Sequence, residues 1–216
     1  MSLTLKEQLA AMMKKSEEKL PREIESVFKR AIEDMANSGS KYGLKAGDRA
    51  PDFKLKNQTG SEINLTSLLK KGPVILTFFR GAWCPYCNLQ LTAYQDILPL
   101  IESAGASILA ISPQSSDDSL SYSEKKNLGF DILGDTEFEV ARLYNVLYEL
   151  PDYLQDVYKT IGINLQDSNA DKSWRLPLTA TYIIDKMGMV CYAFVDVDYK
   201  KRMEPQNIIS ILELIK

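Results

Sequence analysis

The strongest constraint in this chain is a junction. Val74-Ile75-Leu76-Thr77-Phe78-Phe79 is an apolar run long enough for a strand buried on both faces, and a helical pattern starts at Pro85 and runs to about residue 103. Only Arg80, Gly81, Ala82, Trp83 and Cys84 separate them. Proline suits the first helical position because its missing N–H would have no intrahelical partner there. Cys84 is therefore expected at the helix N-cap and Cys87 one turn inside.

That placement has chemical consequences. The unpaired amides and the dipole of a helix start favour a negative sulfur, and thiols so placed commonly titrate in the range ~3.5–7.5. Cys84 is expected to be the depressed, attacking thiol, and Cys87, within disulfide reach and more buried, the resolving one. Arg80, just upstream, is a candidate source of positive charge. Tyr86 and Thr179, with Trp83 packed beside the cysteines, are expected to shape the substrate wall. Cys191, inside the apolar stretch Val190-Cys191-Tyr192-Ala193-Phe194, reads as a core residue.

Composition narrows the alternatives. The chain has no histidine, which removes Ser-His-Asp and Cys-His catalysis and histidine-ligated metals. Three cysteines fall short of the four ligands a closed zinc site wants, so no metal or other cofactor is expected. A metal or iron–sulfur module completed by C-x-x-C pairs from two chains is the rival of a different class. A net charge of −3 offers nothing to attract nucleic acid. No apolar run approaches the ~20 residues that span a bilayer, so no membrane partner is expected. The segment Met1 to Gln8 lacks the basic and apolar regions of a secretory signal, and a cytoplasmic location is the expectation.

Along the chain, residues 1–43 read as an N-terminal helical extension, with Pro21 between two helices and Ser38-Gly39-Ser40 after the second. Ile24, Val27, Phe28, Ala31, Ile32 and Met35 form its apolar stripe, to be buried on the chain's own domain or across a homodimer. Residues 44–216 read as one α/β domain. A hairpin turns at Asn57-Gln58-Thr59-Gly60, strands and helices alternate from residue 66 to 144, and a late hairpin turns at Asp185-Lys186-Met187-Gly188 before a final helix. This pattern predicts a central mixed β-sheet flanked by helices. Residues 147–178 read as an irregular insertion with a helical turn or two, holding Tyr148, Tyr153, Tyr158 and Trp174.

Four segments share a family pattern: Gly47-Asp48-Arg49-Ala50-Pro51-Asp52-Phe53, Trp83-Cys84-Pro85-Tyr86-Cys87, Ala110-Ile111-Ser112-Pro113 and Ala180-Thr181-Tyr182-Ile183-Ile184-Asp185. Through them the chain, over about residues 44–216, resembles the alkyl hydroperoxide reductase/thiol-specific antioxidant family, the peroxiredoxin-like branch of the thioredoxin superfamily. The resemblance implies a thioredoxin-like fold and a thiol-based antioxidant oxidoreductase. It further implies reduction of hydroperoxides through Cys84, with Cys87 resolving and a thioredoxin- or glutathione-type thiol as donor. Family members carry a Pro-x-x-x-Thr/Ser-x-x-Cys loop, whereas here Thr77 and Gly81 stand at the proline and hydroxyl positions. Before the Thr181 strand, where relatives place Arg or a cis-proline, this chain has Thr179, with Pro177 and Arg175 upstream. Cys-Pro-Tyr-Cys also resembles the loop of glutaredoxins, so a protein disulfide remains the alternative oxidant.

Overall fold

The computed structural model describes residues 3–215. Helix α1 (Leu5–Lys19) starts at Thr4, whose hydroxyl accepts from the Glu7 amide while the Glu7 carboxylate accepts from the Thr4 amide. This reciprocal box satisfies donors that a helix start leaves open. Pro21 caps α2 (Arg22–Asn37), so the break falls at the proline, which cannot donate to the preceding turn.

The hairpin of β1 (Lys54–Lys56) and β2 (Glu62–Asn64) leads into α3 (Leu65–Leu69) and the wholly buried β3 (Val74–Phe78). Where the sequence pattern predicts one helix over 85–103 there are two, α4 (Pro85–Asp96) and α5 (Leu98–Ser103). Pro99 explains the break, since it has no N–H for the carbonyl four residues back and its ring crowds that carbonyl. Strand β4 (Ser107–Ser112), α6 (Ser116–Lys126), β5 (Asp131–Gly134) and α7 (Glu139–Leu143) follow.

Residues 147–178 are more regular than their sequence suggests. Strands β6 (Leu147–Glu149) and β7 (Arg175–Pro177) pair antiparallel and close the base of a loop carrying α8 (Asp152–Thr160) and α9 (Leu165–Ser168). The chain ends through β8 (Thr179–Ile184), β9 (Val190–Asp196) and α10 (Pro205–Leu214).

Five strands form a mixed sheet in the order β5-β4-β3-β8-β9. β3, β4 and β5 run parallel, while β8 and β9 pair antiparallel. Ile75 packs into one apolar cluster and Val74, Leu76 and Phe78 into another, so β3 feeds a core on each face. α1 packs on α4, placing Leu5 and Leu9 in the same cluster as both site cysteines. α2 packs on α8, and its Ala31 joins a third cluster with Leu154, Tyr158 and Trp174. Of the apolar stripe on α2, Ala31 is buried on the chain itself, and Val27, Phe28 and Met35 are half-buried against it. Cys191 departs from its expected core position: it is half-buried on β9, an edge strand with a neighbour on one side only.

Candidate active site

The site grows from the end of β3. The Phe79 amide still donates to the Ile111 carbonyl at 2.9 Å, after which the chain leaves the sheet and turns. Gly81 makes that turn at φ +134°, a conformation that side chains oppose. A Cβ there would lie 2.6 Å from Trp83 Nε1. The Ala82 amide donates to Gln114 Oε1 at 2.6 Å, tying the loop to the chain beyond β4. Cys84 is the N-cap of α4, with Pro85 in the first turn, as the sequence predicts.

Both sulfurs are withdrawn from solvent, Cys84 at 1% and Cys87 at 0% exposure. Cys84 lines a cavity of about 320 Å³, together with Arg80, Trp83, Tyr86, Tyr158 and Tyr199. Ser16, Lys19 and Phe28 from the N-terminal helices and Ile161 and Ile163 after α8 also line it. Thr179 lies elsewhere: it is buried at the start of β8, outside this lining, and its hydroxyl has no hydrogen-bond partner.

Arg80 is 2% exposed and enclosed by rings. Its guanidinium carbon lies 4.1 Å from the Tyr199 ring centroid and 4.8 Å from that of Trp83, close enough for cation–π attraction. One of its N–H groups donates to the Tyr158 hydroxyl, while Nε has no partner. A second buried guanidinium comes from the loop before α10. Arg202 donates from Nη2 to Cys87 Sγ at 3.3 Å, and its Nη1 donates to the carbonyls of Tyr199 and Lys201. Among the described residues neither arginine forms an ion pair with a carboxylate.

The electrostatics divide the two thiols. Burial pushes Cys84 well above its ordinary value, and the neighbouring Cys87 adds to the rise. Burial also opposes ionisation of Cys87, but the hydrogen bond from Cys84 and the charges of Arg202 and Arg80 outweigh it and bring Cys87 down to about 5. A helix start by itself would depress Cys84. Desolvation overrides that effect, and the charge rests on the sulfur that Arg202 touches.

Residues 46–193 match the AhpC/TSA family. The chain belongs to that family. This AhpC/TSA chain is similar to peroxiredoxin Bcp of Escherichia coli strain K12, 33% identical over 103 residues that cover 48% of this chain and 65% of that one. It thus spans a little under two thirds of the length of that relative. The chloroplastic peroxiredoxin Q of Sedum lineare is 28% identical over 164 residues, 76% of this chain and 73% of the other. Peroxidoxin BcpB from Mycobacterium tuberculosis superposes with a TM-score of 0.63 at 22% identity, over 80% of this chain and 99% of its own. A peroxiredoxin-like protein from Aquifex aeolicus gives 0.64 at 17% identity, over 82% and 90%. These likenesses show the fold.

Four residues of the AhpC/TSA site carry no mark of it in the sequence pattern. Phe28 reads as one member of a helical stripe, and Tyr158 sits in the stretch that looks irregular. Tyr199 and Arg202 flank Lys200-Lys201 in a basic run of the kind that is usually solvated. Phe28, Tyr199 and Arg202 also lie outside the matched residues.

Proposed function

We propose that this chain is a cytoplasmic thiol peroxidase in which Cys84 attacks a hydroperoxide and Cys87 resolves the product. The observation that carries the reading is the position of Cys84, on a cavity at the start of α4 with Cys87 one turn behind. In the proposed cycle the Cys84 thiolate takes the terminal peroxide oxygen, breaking the O–O bond to form a sulfenic acid and an alkoxide or hydroxide, which takes a proton from solvent and leaves as alcohol or water. Cys87 then displaces the hydroxyl to close a disulfide, with loss of water. A thioredoxin- or glutathione-type donor returns both sulfurs to the reduced state. The Cys84 proton has an acceptor in the Cys87 thiolate, and Arg80 supplies positive charge beside the cavity.

Stopped-flow mixing of reduced Cys87→Ser with peroxide tests this reading. The expected result is a sulfenic acid trapped at Cys84, formed faster than by a free thiol at matched thiolate fraction. A rate no faster than that of the free thiol would end the peroxidase reading.

A protein disulfide is the second candidate oxidant, and one observation favours it. Gly81 brings no hydroxyl to the cavity, and the Thr77 hydroxyl is engaged with Thr181 Oγ1 at 3.0 Å. Under this reading the same variant accumulates a mixed disulfide through Cys84.

A further inference from the structure

Two guanidinium groups are buried at this site, and their charges need an anion. Arg80 is 2% and Arg202 7% exposed, and no carboxylate lies within ion-pair distance of either among the described residues. A buried cation without a partner is costly, so its neighbours decide which state of the protein is favoured. Arg202 has three hydrogen-bond acceptors, the carbonyls of Tyr199 and Lys201 and the sulfur of Cys87. Two are dipoles. The third can carry a full charge, and does so only when it is reduced.

We propose that Arg202 sets the redox potential of the site by stabilising the reduced dithiol over the Cys84–Cys87 disulfide, making the oxidised protein a strong electron acceptor. Closing the disulfide converts the Cys87 sulfur into a neutral, weak acceptor. Arg202 then keeps its two carbonyls but loses its charged partner, while Arg80 remains among rings with Nε unpaired. The carbonyl contacts hold the guanidinium in place, so it cannot follow the lost charge into water without breaking them. The open amides at the start of α4 add to the bias, because they also favour the negative Cys87 sulfur in that first turn.

The reduction balances with glutathione as donor. The disulfide and two glutathione thiols give one protein thiol, one protein thiolate, one proton and glutathione disulfide. The inference rests on the proposed function only in requiring that Cys84 and Cys87 close a disulfide. It does not require that peroxide be the oxidant.

The test equilibrates the full chain with glutathione and glutathione disulfide at a series of ratios. Acid quenching, alkylation and peptide mapping then give the fraction of Cys84–Cys87 disulfide, with Cys191 separately assigned. Arg202→Met is expected to raise the equilibrium constant for oxidation about tenfold, equivalent to ~30 mV for a two-electron couple. Arg202→Lys, which keeps the charge, should fall between the two. Thermal unfolding supplies an independent reading, in which the reduced wild-type chain melts above the oxidised one. Circular dichroism establishes that each variant is folded. Should Arg202→Met fail to fold, Arg202→Lys and the order of the two wild-type melting temperatures decide the matter. A constant unchanged within twofold in a folded variant overturns the proposal. So does an oxidised chain that melts above the reduced one, or a wild type that closes no Cys84–Cys87 disulfide at any ratio. None of these readouts uses peroxide, so a failed peroxidase reading leaves this result standing, and only a failure to close the disulfide counts against both.

Discussion

The Phe28 ring on α2 lies 5.8 Å from the Tyr158 ring on α8, joining the N-terminal helices to the insertion directly over the site. Phe28 also meets Tyr199 at 6.4 Å, so one side chain bridges two of the rings that enclose Arg80. Phe28→Ala should therefore open the cavity to larger reagents. Its half-buried position sets the stability loss at about 1–2 kcal/mol, below the ~3–5 kcal/mol of a fully buried phenyl ring. Denaturant unfolding measures the loss, and the rate of Cys84 modification by a bulky maleimide should rise. An unchanged rate would show that Phe28 does not guard the sulfur.

Removal of residues 1–37 should have a larger effect. It strips Leu5 and Leu9 from the main core cluster and Phe28 from the cavity wall. The exposed apolar surface should bind a hydrophobic dye and lower solubility. A truncated chain that stays monodisperse and equally stable would show that these helices are dispensable.

The pH dependence follows from Cys87. Its folded value of about 5 lies below the ~8.5 of an ordinary thiol. A depressed folded value stabilises the reduced chain above the unfolded value, and that contribution is lost as pH falls through about 5. The melting-temperature gap between reduced wild type and Cys87→Ser should thus shrink between about pH 8 and pH 5. Cys84, raised by burial, acts only above the ordinary thiol range, so this window belongs to Cys87. Alkylation should label Cys84, the cavity-lining sulfur, before Cys87 or Cys191, with a midpoint that moves downward in Cys87→Ser, where a neighbour that raises Cys84 is gone. Peptide mapping that finds Cys87 labelled first would reverse the roles.

Gly81→Thr would place a hydroxyl where the family carries one, yet it should not speed peroxide reduction. The backbone φ of +134° and the 2.6 Å approach to Trp83 Nε1 oppose any side chain there. A destabilisation of about 1–3 kcal/mol is expected from the backbone alone. A variant as stable as wild type, with faster peroxide turnover, would show that the loop rearranges to accept the threonine.

The strand–loop–helix junction is legible in the sequence because every signal for it is local. An apolar run makes β3, Pro85 starts α4, and their spacing leaves Cys84 at the cap and Cys87 one turn inside. Pro21 likewise separates α1 from α2 by removing a donor. Pro99 carries the same signal, but a continuous apolar pattern masks it. Contacts between distant segments have no such signature. Arg202 reaches Cys87 across 115 positions, and Arg80 reaches Tyr158 across 78. Which sulfur holds the charge is therefore decided only by tertiary structure. A helix start favours negative charge on Cys84, but burial makes an unpaired charge costly, and the buried cation in contact lies at Cys87. Local sequence places the two thiols, whereas desolvation and distant charge, which exist only once the chain has folded, set their difference.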